Sequence, residues 1–228
     1  MPYSTRAELI ALTREYMDAV GSTRWSDTTI STVLTSVHDN EWSNILNAAP
    51  YYRFAQRTVT PDANGQIQFS SLDGGTGNTT QRMYRILSVT DGNVLYTETR
   101  FQDVPLATTS NYLPVYSKMF YVAGEMMQLL PVTTSGTIYV SVNYKPQSVS
   151  SLTSDSSVVD FPENNQLILV QSTASQLLLK GGAETSTAMS WKKMADDDRA
   201  TMLDDIRRRT INPTRMAYPD LRYDWGGA

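Results

Sequence analysis

Apolar residues recur every three to four positions over the first fifty residues, a spacing typical of amphipathic helices. Thr5-Arg6-Ala7-Glu8 has the form of a capping box, so we expect the first helix to begin there and to stop at Gly21. A second helix is predicted from its cap, Ser26, as far as Pro50, because proline lacks a backbone donor and ends helices. The apolar faces of this helix pair require a partner elsewhere in the chain.

From Tyr51 the spacing of apolar residues falls to about two, which is typical of β-strands. Residues 53–69 form one predicted hairpin, and residues 83–96 form another around Asp91-Gly92-Asn93. Further alternating stretches lie within residues 120–144, and the six or seven short strands together predict a meander folded as a small antiparallel sandwich or barrel. The serine-rich residues 148–157 are typical of a linker.

Helical spacing returns after the linker. A third helix is predicted to begin at Asp160-Phe161-Pro162-Glu163 and to stop at Gly181-Gly182, and a long fourth one covers about residues 184–209. This order predicts an α+β fold, in which a β module is inserted into a four-helix bundle of two N-terminal and two C-terminal helices. The predicted limits are residues 1–50 and 158–210 for the bundle, 51–157 for the inserted β domain with its linker, and 211–228 for an extended C-terminal docking tail.

The composition narrows the chemistry that the chain can perform. Its 228 residues include no cysteine and one histidine. Without cysteine there are no disulfides, zinc–thiolate sites, iron–sulfur clusters or thiol nucleophiles, and one histidine leaves little for a metal site or a histidine-based acid–base pair. We therefore expect a protein that is not an enzyme, with no catalytic, metal-binding or cofactor-binding residues and no cofactor.

Two individual features of the sequence could suggest chemistry. His38 lies among polar neighbours on the second predicted helix, which favours a surface or interface side chain. Asp196-Asp197-Asp198 could suggest a metal cluster, but consecutive helical residues point about 100° apart and cannot converge on one ion. A solvated acidic face is the favoured interpretation.

Arginines and aromatic residues accumulate at the C-terminus. The negative end of a helix dipole favours one or two arginines in the last turn of a helix, but this chain has more. The segment that follows them contains aromatic residues without the periodicity of a core element. Arginine and aromatic side chains dominate the energetics of protein interfaces, so we predict docking onto another chain, with packing onto the chain's own domain as the alternative. The predicted interface residues are Arg207, Arg208, Arg209, Arg215, Tyr218, Arg222, Tyr223 and Trp225.

Several segments resemble the head-to-tail adaptor (connector) proteins of tailed bacteriophages. Trp25-Ser26-Asp27-Thr28-Thr29-Ile30 is similar to the opening of that family's second helix, and Pro131 ahead of residues 138–146 is similar to its closing β-hairpin. Phe161-Pro162-Glu163, followed by Ala174 and Gly181-Gly182, resembles its proline-started third helix. The likeness spans nearly the full chain, although the long linker and loops rich in serine and threonine depart from the family pattern.

The resemblance implies a structural virion protein of the neck. Family members of this layout form a dodecameric ring under the portal protein, continue the DNA channel and receive the tail or nozzle proteins, and the C-terminal segment would reach the portal. The net charge of −4 agrees with genomic DNA passing without specific binding, because tight binding to phosphates requires a basic surface. We expect no measurable binding to duplex DNA at physiological salt.

Other functions remain open at this point. One is a different tail component, such as a part of the tube or of the fibre base. Another is a carbohydrate-binding or adhesion module that uses Tyr112, Tyr116 and Tyr121 as a stacking platform. The sequence predicts no export signal and no membrane span, so we expect assembly in the host cytoplasm followed by a place in the virion.

Overall fold

Four α-helices and two β-sheets make up the part of the chain that the structure describes, and the fold is α+β. The structure is a computed structural model that describes residues 5–18, 24–73, 82–100, 118–133, 135–149, 152, 156–162, 165–182 and 185–211. The helices are α1 (Arg6–Tyr16), α2 (Asp27–Ala48), α3 (Gln166–Gly181) and α4 (Thr185–Ile211). The strands are β1 (Phe54–Val59), β2 (Gln66–Gln68), β3 (Arg82–Thr90), β4 (Thr97–Glu98), β5 (Met119–Ala123), β6 (Met126–Leu130) and β7 (Ile138–Lys145).

Local capping signals set the starts of the first two helices. The hydroxyl of Thr5 accepts from the Glu8 backbone N–H at 3.3 Å, and the Glu8 carboxylate accepts from the Thr5 N–H at 2.7 Å. Ser26 accepts from the Thr29 N–H at 3.1 Å, which confirms it as the cap of α2. The predicted end of α1 is wrong, because the helix ends at Tyr16 while Gly21 lies outside the described residues.

The third helix begins later than the sequence predicts. Phe161 and Pro162 precede α3, which starts at Gln166. The Phe161 side chain is 1% exposed and makes an edge-on contact with Trp42, with ring centroids 6.2 Å apart. Burial of this ring against α2 keeps the segment out of the helix, a tertiary effect that the local pattern does not contain.

The strand order contradicts the predicted meander. One sheet has the order β1-β7-β3 and the other has the order β2-β6-β5-β4, so the two strands of the first predicted hairpin lie in different sheets. The pairing is not purely antiparallel, because β4 and β5 run parallel. Neither sheet closes into a barrel within the described residues. Only tertiary pairing, which a period of two does not reveal, places β7 between β1 and β3.

Buried apolar side chains form two clusters. One includes Leu9, Ile30, Ile168 and Met202, so all four helices contribute to it. The other includes Val140 of β7 and Met127 of β6, so both sheets contribute to it.

Lys145 on β7 links the sheet β1-β7-β3 to α2. The Lys145 ammonium donates to the Asp39 carbonyl at 3.2 Å and to the Ser43 hydroxyl at 2.7 Å, and it lies 4.7 Å from the centre of the Tyr84 ring. Burial lowers the pKa of Lys145, against the opposing effect of the Asp39 carboxylate. These contacts set where the strands sit relative to the helices.

The ion pair between Asp91 and Lys118 predicts an acid-sensitive contribution to stability. The Lys118 ammonium, together with the backbone N–H groups of Val94 and Asn93, lowers the pKa of Asp91 from 3.8 to about 2. Because the pKa is lower in the folded state, the contribution is complete above pH 3.8 and is lost as the pH falls through about 2. Because solvent screens this pair, we expect it to contribute at most about 1 kcal/mol to the free energy of unfolding.

Urea unfolding of Asp91→Asn and of the unchanged chain, from pH 7 to pH 2, tests this expectation. Their difference in unfolding free energy should shrink towards pH 2. Asp62→Asn is the matched control, because the Asp62 carboxylate also accepts two backbone N–H groups, and it has no lysine partner among the described contacts. A difference for Asp91→Asn that does not change with pH would contradict the assignment.

Candidate interaction site at the C-terminal end of α4

The predicted arginine cluster lies at the exposed end of α4. Arg207, Arg208 and Arg209 are all exposed. Arg208 pairs with Asp204 at 2.5 Å, one helical turn earlier, whereas Arg207 and Arg209 form no ion pair within the described chain. The helix continues to Ile211, so the first residue of the predicted tail is helical. The other predicted interface residues lie outside the described residues; they are Arg215, Tyr218, Arg222, Tyr223 and Trp225.

Arg209 lines a cavity of about 320 Å³, which we call the α4 cavity. Its walls come from the end of α2 with the turn after it, from the segment before α3, and from the last turns of α4. Among its lining residues are Trp42, Tyr52, Arg53, Asp160, Phe161 and Arg209. The structure therefore brings one predicted interface arginine together with aromatic and charged groups that are distant in sequence.

Trp42 and Arg53 form one wall of the α4 cavity. Trp42 is 1% exposed, and its ring centroid lies 6.2 Å from that of Tyr52. The Arg53 guanidinium lies 4.8 Å from the centre of the Trp42 ring. It also donates to both carboxylate oxygens of Asp160, at 2.7 and 2.6 Å. The aromatic and charged groups thus hold one another in fixed positions.

The backbone carbonyl of Asp160 anchors this wall to α2. It accepts from the Trp42 indole N–H at 3.0 Å and from the His38 imidazole, whose Nε2 lies 2.8 Å away. The prediction of a surface or interface side chain for His38 is wrong, since the residue is completely buried. The neighbouring imidazole, with Nδ1 3.8 Å from the carboxylate of Asp39, lowers the pKa of that carboxyl. His38 is therefore a core residue that positions the segment before α3.

A second cavity, of about 390 Å³, lies between α2, α3 and α4. Glu41, which is 3% exposed, and Arg199 form a two-armed ion pair at its wall, with distances of 2.7 and 2.5 Å. The hydrogen bonds from Arg199 to Glu41 are the main reason that the pKa of Arg199 is raised. This pair fixes α4 against α2 and so determines where the C-terminal arginines are presented.

The acidic run on α4 does not form a cluster of ligands. Asp196 bonds to Arg199 at 2.5 Å, whereas Asp197 and Asp198 are exposed. No group of three or more aspartate, glutamate or histidine side chains converges within the described ranges. Of the tyrosines considered for stacking on carbohydrate, Tyr121 lies on β5, and Tyr112 and Tyr116 lie outside the described residues.

No protein-family model matches this sequence, and no curated protein matches it significantly. None of the helices in the described residues combines the length and the apolar character needed to cross a membrane. The function therefore has to be argued from the site itself.

Sequence reasoning found the arginines but missed the α4 cavity. The sequence pattern places Trp42 on the apolar face of α2, and it predicts Asp160 and Phe161 at the start of a helix. The alternation predicts Arg53 within a strand, although it precedes β1. Nothing local indicated that residues more than a hundred positions apart meet.

Proposed function

We propose that this protein is a head-to-tail adaptor of a tailed bacteriophage, which docks onto the portal through the C-terminal end of α4 and the segment after it. The observation that carries the proposal is Arg209, exposed and without an ion-pair partner among the described residues, at the edge of the α4 cavity. The resemblance in sequence supports the class of protein, and the exposed arginines at the end of α4 support the choice of surface.

The composition of this surface supports docking. Interface hot spots are enriched in tyrosine and arginine, and the half-buried side chains of Tyr52 and Arg53 line the α4 cavity together with Arg209. Two of three consecutive arginines, Arg207 and Arg209, have no carboxylate partner in the described part of the chain. Repulsion between neighbouring cations is relieved when a partner supplies acidic groups, so we infer an acidic surface on the portal.

The proposal includes a finer architecture. The two terminal helix pairs form a bundle, and the strands form an inserted sandwich-like module. About twelve copies assemble into a ring in the virion neck beneath the portal, the tail or nozzle proteins attach below, and genomic DNA passes through without specific binding. The mixed charges of α4 support the last point, because acidic residues at 196–198 and 204–205 separate its basic ones.

A triple replacement of Arg207, Arg208 and Arg209 by alanine tests the docking surface. We expect it to weaken attachment to the cognate portal ring at least about tenfold, because charged pairs at an interface often contribute more than 1.4 kcal/mol. Co-sedimentation with purified portal rings and negative-stain imaging measure the attachment.

The matched control replaces Lys192 and Lys193 by alanine; both are exposed basic residues in the N-terminal half of the same helix. This variant should attach normally. Unchanged attachment of the triple variant, or an equal loss in the lysine control, would show that the arginine end of α4 is not the docking surface. Circular dichroism verifies that both variants are folded.

A further inference from the structure

We propose that the outward face of the sheet β1-β7-β3 binds an acidic oligosaccharide, with the sugar hydroxyls on rows of polar side chains and a carboxylate at Arg85. This inference goes beyond portal docking and does not depend on it, because it concerns the strands and not the end of α4. Carbohydrate binding is one of the functions that the sequence leaves open, but the residues of this face are different ones.

The two faces of this sheet differ in character, because side chains alternate along each strand. On one face, Val140 and Val142 of β7 are completely buried in the apolar cluster that both sheets share. Residues opposite one another on paired strands share a face, with side chains about 5 Å apart. The register therefore gives the other face, which we call the outward face, two polar rows: Thr58–Tyr139–Thr90 and Gln56–Ser141–Ser88.

The two polar rows of the outward face are accessible to a ligand. Gln56 and Thr58 are exposed, and Ser141 is only half-buried although it lies on the central strand. The side chains of these three residues and of Ser88 make no hydrogen bond within the described chain. Their hydroxyl and amide groups are thus free to donate to a ligand and to accept from it.

Aromatic rings lie at both ends of these rows. Phe54 is 58% exposed and contacts Tyr51, which is 62% exposed, with ring centroids 6.1 Å apart. At the other end, the Tyr139 ring packs against Gly92, where a Cβ atom would lie 3.4 Å from the ring. Tyr139 pairs with Thr58, four residues along β1 from Phe54, so the ends are about 14 Å apart. This spacing suits several sugar units, whose C–H faces pack on aromatic rings while their hydroxyls meet the polar rows.

The third row supplies the charge. Phe54 and Arg85 lie on either side of Asn143, and Arg85 is exposed and forms no ion pair within the described chain. None of the three rows contains an aspartate or a glutamate. An unpaired arginine beside uncharged polar groups is complementary to a ligand that is rich in hydroxyls and carries a carboxylate.

The same composition disfavours two other occupants. Serine and threonine are under-represented among the residues that contribute most to protein interfaces, yet they predominate in the polar rows. A nucleic acid requires several cations for its phosphates, and the three rows contain one. The outward face therefore suits a saccharide better than a protein or a nucleic acid.

Titration of the full chain with two hexasaccharides tests the proposal. Hyaluronate hexasaccharide carries a carboxylate on every second sugar, and chitohexaose has N-acetylglucosamine units without carboxylates. We expect hyaluronate to bind with a Kd below about 1 mM and chitohexaose to bind at least about tenfold more weakly, because it lacks the charge-assisted bond to Arg85. Isothermal titration calorimetry measures both affinities.

Variants of the outward face locate the binding. Arg85→Gln should lower the affinity for hyaluronate to that for chitohexaose and leave chitohexaose binding unchanged. The matched control is Arg207→Gln, at an exposed arginine of α4 without an ion pair in the described chain, and it should bind both probes normally. Replacing Gln56 and Thr58 together by alanine should weaken the binding of both probes. These two side chains are exposed, so we expect the variant to fold, and circular dichroism verifies it.

Failure of the unchanged chain to bind either probe would overturn the proposal. Equal affinities for the two probes would also overturn it, since the carboxylate would then contribute nothing. Equal losses in Arg85→Gln and Arg207→Gln, or normal binding in the variant of Gln56 and Thr58, would show that the outward face is not the site. Portal attachment enters none of these measurements, so their failure leaves the docking proposal to its own experiment.

Discussion

Replacing Arg199 with methionine is expected to lower the free energy of unfolding by about 3 kcal/mol, because it leaves a buried carboxylate without its partner. Glu41 is almost fully buried and receives two hydrogen bonds from Arg199, so the variant must either keep an unpaired charge or protonate it. Urea unfolding at pH 7 measures the loss. Because the pair joins α2 to α4, we also expect α4 to become more accessible to hydrogen exchange.

Two variants check the cause of that loss. Arg208→Met removes an arginine of the same helix whose ion pair with Asp204 is exposed, with side-chain exposures of 74% and 54%, so it should cost no more than about 0.5 kcal/mol. Replacing Glu41 and Arg199 together by methionine should recover most of the stability, because no charge is then left buried. If the double variant were no more stable than Arg199→Met, the unpaired carboxylate would not be the cause.

Truncation of Trp42 to alanine is expected to lower the free energy of unfolding by about 3–5 kcal/mol. The indole ring is 1% exposed, contacts Phe161 edge-on, supports the Arg53 guanidinium and donates to the Asp160 carbonyl. The substitution therefore removes a large buried ring and loosens the segment before α3 at the same time. Thermal and urea unfolding, followed by circular dichroism, measure the effect.

Trp25 provides the comparison for Trp42. It is only partly buried, and its ring lies 5.4 Å from the Arg24 guanidinium, so Trp25→Ala should cost clearly less. Trp42→Phe separates the contributions further, since it keeps an aromatic ring and loses the indole N–H, and we expect a loss of about 1–2 kcal/mol. Equal losses for Trp42→Ala and Trp25→Ala would contradict the central place of Trp42 in the core.

The helices were predictable wherever their signals are local. The capping box of Thr5 and Glu8 and the cap at Ser26 act within three residues, and the structure has both. The start of α3 was not predictable, because Phe161 is drawn into the core by Trp42, a residue far away in sequence. The strand order was not predictable for the same reason. Alternation shows that β7 is a strand but not that it pairs with both β1 and β3.

The candidate site likewise has one part that was predictable from the sequence and one part that was not. Arg207, Arg208 and Arg209 are adjacent in sequence, and their charge alone indicated an interface at the end of a helix. The α4 cavity depends on contacts between Arg53 and Asp160 and between Trp42 and Asp160, which join residues 107 and 118 positions apart. Such contacts are set by the packing of whole elements, so no window of sequence contains them.

The central position of β7 also has a consequence for how the chain folds as it is synthesised. Phe54 pairs with Asn143 and Arg82 pairs with Lys145, so β1 and β3 leave the ribosome well before the strand that joins them. Long-range pairing of this kind forms slowly, and strands that wait for it expose unpaired edges. β1 and β3 are therefore prone to aggregation during synthesis, until β7 pairs with them. Charged side chains lie on both strands: Arg57 on β1, and Arg82 and Arg85 on β3. Their charge opposes edge-to-edge association until β7 has been synthesised.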